Sequence, residues 1–217
     1  MTKILAMDTS HEICSVALNI DGQTTSRTSA EPRQHARQLM PMIEELLAER
    51  GVRIAELDGI ALVIGPGSFT GLRIGAGVAQ GLSFGSNVPV LSISSLAVMA
   101  MKAHLAHKCS HVNVCLQARE DEVYAASYRI DVDDVHVLGV EQVCAPDALQ
   151  FDVLGVAAGN GWRMLSERQR IGEPILDCVS DAVTLSHIAS SRLQKGPGLA
   201  AQDVLPVYLK EHMDYHT

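Results

Sequence analysis

The sequence predicts an α/β protein of two lobes, each built as strands first and helices after. Three observations carry this. Short β-branched runs alternate with amphipathic stretches along the chain, the second half repeats the order of the first in shortened form, and the chain is long and apolar enough, 217 residues at 47% hydrophobic, to bury a sizeable core. With only 4% aromatic residues and 17 glycines, that core has to be filled by Leu, Ile, Val, Ala and Met, with backbones in close approach.

The first elements read as antiparallel strands. Ile4 to Ser10 and Ile13 to Ile20 are apolar runs, and Asp21-Gly22 is a hairpin signal leading into a third strand over Gln23 to Ser29. From His35 to Arg50, Leu39, Ile43, Leu46 and Leu47 recur at helical spacing, Gly51 ends the helix, and Pro41 is expected to shift its start by a few residues at most. Gly59 to Ile64 then gives a buried strand, 65–71 a glycine-rich turn, Leu72 to Phe84 a helix, Val88 to Ser92 a strand and Leu96 to His107 a helix. The first lobe therefore reads βββ-α-β-α-β-α.

The second lobe offers strands at His111 to Gln117, Glu122 to Arg129, Val135 to Val140 and Val153 to Ala158, and a helix over about Val183 to Leu193. The division is expected at 1–106 and 107–204, with the C-terminal segment 205–217 joining the first lobe.

Charge and cysteine usage exclude several classes. A net charge of −8 repels phosphate backbones, and the basic groups Arg33/Arg37, Arg50/Arg53 and Arg163/Arg168/Arg170 are interleaved with acids or sit on solvated faces, so stand-alone nucleic-acid binding is disfavoured. Cys14, Cys109, Cys115, Cys144 and Cys178 are odd in number and form no C-x-x-C pair, which argues against a disulfide framework or a zinc knuckle. No secretion signal opens the chain and no apolar run reaches membrane-spanning length, so a cytoplasmic location is expected.

Three features could carry chemistry. Gly65-Pro-Gly-Ser-Phe-Thr-Gly leads from a strand into a helix, with Ser68 or Thr70 as N-cap; a helix start can hold an anion, but the segment lacks the Lys-[Ser/Thr] ending of a P-loop. Gly71, Gly75 and Ala79, and again Gly77, Gly81 and Gly85, form two ridges without side chains, and interior glycines cost about 1 kcal/mol each. Close backbone contact is therefore expected on both, one ridge against the protein's own sheet and one against a partner helix. Asp8-Thr9-Ser10 could face a metal-bound nucleotide phosphate, or be an ordinary Asx turn. His104, His107 and His111 lack a completing carboxylate, and no Gly-x-Ser-x-Gly elbow is present.

The segments at 4–10, 35–43, 65–75, 118–124 and 206–210 together resemble the TsaB (YeaZ) family over nearly the whole chain, with Gly-Pro-Gly-Ser-Phe-Thr-Gly the most specific. The resemblance implies the actin, sugar-kinase and heat-shock ATPase fold. It also implies a non-catalytic scaffold for TsaD, acting with TsaE and the adenylate-forming TsaC to place threonylcarbamoyl on N6 of adenosine 37 in tRNAs reading codons that begin with A. TsaD-type proteins carry a His-x-x-x-His metal pair where this chain has Ser95 and Met99, neither a ligand for such a metal. Gln117 stands where the family often has Asp before Ala-Arg.

The expected partner interface comprises His35, Leu39, Gly71, Arg73, Gly75, Val78 and Ala79, pairing with TsaD and self-associating into a two-fold homodimer when TsaD is absent. No metal or cofactor is expected within the subunit, ATP or ADP at most at the partner interface, tRNA only through the complex, and no membrane contact. The alternative is a stand-alone ATP-dependent phosphotransferase or ATPase using Asp8 and Thr9, for which no second carboxylate is placed as base. Metalloprotease activity fails on the missing metal ligands.

Overall fold

The computed structural model describes residues 1–119, 121–151, 154–167, 169, 174–175 and 177–209. Strands β1 (Lys3–Asp8), β2 (Ser15–Ile20) and β3 (Gln23–Thr28) are followed by α1 (His35–Arg50), β4 (Gly59–Gly65), α2 (Phe69–Ser86), β5 (Val90–Ser94) and α3 (Ser95–His107). Then come β6 (His111–Gln117), β7 (Val123–Asp131), β8 (Asp134–Cys144), β9 (Val156–Ala158) and α4 (Ala182–Leu193). The first sheet is ordered β3-β2-β1-β4-β5 and the second β8-β7-β6-β9. In both, a three-stranded antiparallel meander is extended by parallel pairing, β1 to β4 to β5 and β6 to β9. This is the two-lobed α/β arrangement the sequence pattern predicts.

Strand alternation sorts the core into layers. Leu5, Met7, Leu18, Ile60 and Leu62 face α1 and α2, whereas Ile4, Ala6, Ala17, Ala61 and Val63 face α3 and α4. The same two helices pack on Val112, Val114, Ala126 and Tyr128 of the second sheet, so one helical layer serves both sheets. The far face of the second sheet is closed by Trp162, fully buried, stacked on Phe151 at 5.0 Å and donating its indole N–H to the Ala158 carbonyl at 3.1 Å.

Local choices agree with these elements. Asp21 and Gly22 take positive φ in the β2–β3 turn, and Gly51 caps α1 in the left-handed region. Pro41 does not move the start of α1: the helix begins at His35 and runs through it.

The segment after β9 returns to the first sheet. α4 lies on β1 and β2, Leu199 exchanges backbone hydrogen bonds with Val90 at 2.9 and 2.7 Å, and Val204 is buried under α1 and α2. α4 thus covers the inner face of the first sheet as well as packing on the second. Among the described residues between β8 and β9, the chain makes a short 3-10 turn at Pro146–Ala148. Val153 of the expected ninth strand, Arg168 and Arg170 of one basic group, Glu120, and residues 210–217 lie outside the described residues.

The two glycine ridges of α2 differ in what surrounds them. A Cβ on Gly71 would lie 2.0 Å from the Thr9 carbonyl oxygen and one on Gly75 2.4 Å from Thr9 Oγ1, whereas Gly77 and Gly81 have nothing within 4 Å. Urea unfolding is therefore expected to show Gly71→Ala and Gly75→Ala losing about 1–3 kcal/mol, while Gly77→Ala and Gly81→Ala each gain about 1 kcal/mol from helix propensity. Equal effects at all four positions would contradict this packing.

Candidate functional site

The glycine-rich turn is fastened to the end of β1. Ser68 N–H donates to the Ser10 carbonyl at 2.7 Å, and a Cβ on Gly67 would stand 2.4 Å from that same oxygen, so only glycine permits the approach. Ser68, rather than Thr70, caps α2: its hydroxyl accepts from Gly71 N–H at 3.3 Å. Ser95 Oγ–H donates to the Pro66 carbonyl at 2.5 Å, binding the turn from the α3 side.

At the tip of β1, Asp8 is only 2% exposed. Its Oδ1 accepts from the Ser10 N–H at 2.8 Å and the Ser10 hydroxyl at 2.6 Å; its Oδ2 accepts a short bond from the Ser180 hydroxyl. Since Ser180 gives its proton to Asp8, His11 Nε2 must be the donor in its 2.9 Å contact with Ser180 Oγ. The polarity is the reverse of a nucleophile–base pair: no imidazole lone pair is directed at a serine proton. Thr9 Oγ1 lies buried against Gly75. Of the residues expected to face a nucleotide, Asp8 and Thr9 are thus enclosed by the chain, and Ser10 alone reaches the cleft wall.

Ser180 is held in place by its neighbours. Asp181 caps α4 by accepting Thr184 N–H at 2.7 Å and pairs with Lys102 Nζ at 2.7 Å, while Lys102 also donates to the Val179 carbonyl at 3.0 Å. Burial, the largest influence, pushes the Asp181 carboxyl up, but the Lys102 ammonium and the Thr184 amide together hold it below its usual range.

Beside this junction opens a cleft of about 1220 Å³, bounded by the glycine-rich turn, the first turns of α1 and α2, the end of β6 and residues 207–209. Among the described residues, Arg33, Arg73, Arg119, His11, His35 and Glu12 are the charged and imidazole side chains that line it. His35 Nε2–H donates to the His11 carbonyl at 2.7 Å. Gln117 lies on the wall, its backbone N–H bound by Asn160 Oδ1 at 2.9 Å.

The expected interface residues separate into two groups. Gly71, Gly75 and Ala79 face the protein's own first sheet, Leu39 is in the core and His35 is buried, so none of the five offers a surface. The reason is that both ridges of α2 have the same spacing, and the inward one is fixed by Thr9, which spacing does not reveal. Arg73 is exposed and Val78 half-buried, and the open ridge runs through Gly77, Gly81 and Gly85 beside Phe84, 86% exposed.

Ser95 is engaged by its bond to Pro66, and Met99 is fully buried in the core with its Cε against Gly159. Among the described residues no three His, Cys, Asp or Glu side chains gather as a metal site. His104 instead donates through Nδ1 to the Cys109 carbonyl at 2.6 Å. Burial pushes the Cys115 thiol up to about 12 and that of Cys178 to about 11, so both are protonated and inert at neutral pH. No described helix is long and apolar enough to cross a membrane.

Ser180, His11, Asn160, Phe69 and Tyr208 were not singled out by the sequence. Phe69 and Tyr208 lie inside segments that carry the family resemblance, which was an available signal; Ser180 meets Asp8 across 172 positions and left none.

Comparison with known proteins gives consistent relatives. A family model described as "TsaD: tRNA N6-adenosine threonylcarbamoyltransferase" matches residues 27–167. The protein from Haemophilus influenzae named tRNA threonylcarbamoyladenosine biosynthesis protein TsaB is 35% identical, covering 98% of this chain and 95% of the relative. The Escherichia coli protein of the same name is 33% identical, over 97% and 96%. The solved structure of YeaZ from Pseudomonas aeruginosa superimposes with a TM-score of 0.89 at 36% identity, over 96% of this chain and all of that one.

The Asp181 geometry fixes a pH dependence. A carboxyl held lower in the folded than in the unfolded chain stabilises fully above the unfolded value, about 3.9, and that contribution fades as pH falls through the folded value. The melting-temperature gap between the natural chain and Asp181→Asn should therefore be widest at neutral pH and close under strongly acid conditions; a gap independent of pH would remove the ion pair as its cause.

Proposed function

We propose that this chain, which belongs to the TsaB family of tRNA threonylcarbamoyladenosine biosynthesis proteins, is the non-catalytic scaffold of a cytoplasmic threonylcarbamoyl-transfer complex. In this reading it pairs with TsaD, which carries the chemistry of transfer to N6 of adenosine 37, and is joined by TsaE; tRNA is met only through the complex, and ATP or ADP sits at the subunit interface. What supports it is the state of the two positions at which the resemblance would put a metal-binding histidine pair: Ser95 and Met99 are both fully buried and already engaged by Pro66 and Gly159. With no ligand at either place, nothing there can orient an adenylate or neutralise its leaving phosphate through a metal.

The ATPase alternative loses its main support at the same junction. An Asp8 that is to meet a magnesium-bound phosphate needs a free oxygen, and both of its oxygens accept hydrogen bonds from Ser10 and Ser180.

The docking surface is the outward face of α2, where Gly77, Gly81 and Gly85 leave a smooth ridge beside Phe84, flanked by Arg73 and Val78. An exposed aromatic next to a side-chain-free groove suits the close packing of a partner helix, and a surface of this kind also self-associates about a two-fold axis when the partner is missing. Gly81→Arg and Phe84→Asp should each weaken TsaD binding by at least tenfold in calorimetry without lowering the melting temperature of the chain. Unaltered affinity in both variants would take α2 out of the interface. A substitution at Gly75 tests the fold instead, because that position abuts Thr9.

A further inference from the structure

The strip of chain at the tip of β1, residues 8–11, is the meeting point of three segments remote from it in sequence. The first comes from the second sheet. Ile175 accepts from Gly159 N–H and donates to the Ala157 carbonyl, both at 2.9 Å, which fastens it along β9, and a few residues on Ser180 reaches the strip. There the Ser180 hydroxyl meets Asp8 Oδ2, Ser10 Oγ at 3.2 Å and His11 Nε2 at 2.9 Å. The other two segments are helix starts. The Ser10 carbonyl accepts Ser68 N–H at 2.7 Å and so holds the N-cap of α2, and the His11 carbonyl accepts His35 Nε2–H at 2.7 Å and so holds the first residue of α1.

Asp8, Ser10, His35 and Ser180 are all buried, so water is poorly placed to replace any of these bonds once lost. A buried imidazole that spends its N–H on a backbone carbonyl is a costly way to fill space in the first turn of a helix, where an apolar side chain would serve. What the imidazole adds is a fixed distance between α1 and the strip. We propose that Ser180 and His35 are positioning residues of the docking face. Ser180, anchored to the second sheet through Ile175, fixes the strip; the strip fixes the start of α2 through Ser68 and that of α1 through His35. The register at which the open ridge of α2 is presented is then set from the second lobe, by side chains that touch no partner.

The bonds act in series and then branch. Loss at Ser180 reaches both helices, whereas loss at His35 reaches α1 alone. Ser95 still holds the turn before α2 at Pro66 in either case, so the Ser68 end loosens without the turn coming away. The step from helix position to partner affinity rests on α2 being the docking face; the step from Ser180 to the helices does not.

Amide hydrogen exchange of the full chain, measured residue by residue beside calorimetry with TsaD, tests both steps. Ser180→Ala should speed exchange about tenfold at Ser68 and Leu72 and at Arg37 and Gln38, with the β2–β3 ladder unchanged. His35→Leu should do so at Arg37 and Gln38 only. Ser180→Thr and His35→Gln keep a donor at each place and should bring exchange back toward the natural rate. TsaD affinity should fall about tenfold in Ser180→Ala although that side chain is buried. Where Ser180→Ala yields no folded protein, Ser180→Cys, with a weaker donor of similar size, takes its place. The proposal is overturned if the Ser180 variant alters exchange only within residues 175–184, if His35→Leu loosens α2 as much as α1, or if the Ser180 variant leaves TsaD affinity intact where Gly81→Arg lowers it. Faster exchange at both helix starts, with affinity unchanged in the Ser180 variant, Gly81→Arg and Phe84→Asp alike, would remove the docking reading and leave the junction standing.

Discussion

The rest of the structure is arranged around the contact between α2 and the end of β1. Thr9 presents its carbonyl and hydroxyl oxygens where residues 71 and 75 would carry a Cβ, and two glycines are what let the helix sit there. That seating places the preceding turn over Ser10, sets the wall of the cleft and decides which ridge of α2 is left facing outward. A helix displaced even by the width of a methyl group would lose the Ser68–Ser10 and Ser95–Pro66 bonds together.

A second constraint joins the lobes. α3 and α4 lie between the two sheets, and the segment leading into α4 brings Ser180 to Asp8 while Lys102 of α3 clamps Asp181. The acidic tip of β1 therefore serves as a structural tie: two serine hydroxyls and a backbone amide engage both carboxylate oxygens of Asp8.

Much of this could be read in the sequence, and what could not has physical causes. Strand and helix positions follow from period and punctuation, and α1 spans the stretch marked out by Leu39, Ile43, Leu46 and Leu47 and closed by Gly51. Relations between distant residues were not legible: nothing near Asp8 foretells Ser180, and nothing near Val90 foretells Leu199. The two glycine ridges show the limit most clearly. Their spacing announces close packing but carries no sign of direction, so residues seated on the protein's own sheet were assigned to a partner surface.

The pairing of Leu199 with Val90 also bears on how the chain is made. β5 is the outer strand of the first sheet, and its free backbone groups are met by a residue synthesised more than a hundred positions later. A nascent chain that has released β1 through β5 from the ribosome still lacks α4 beneath its sheet and the strip along its border, so an open strand edge and an uncovered apolar face persist until translation is nearly finished. During that interval the apolar face stands open to water, and the speed of elongation through the second half sets how long it does so.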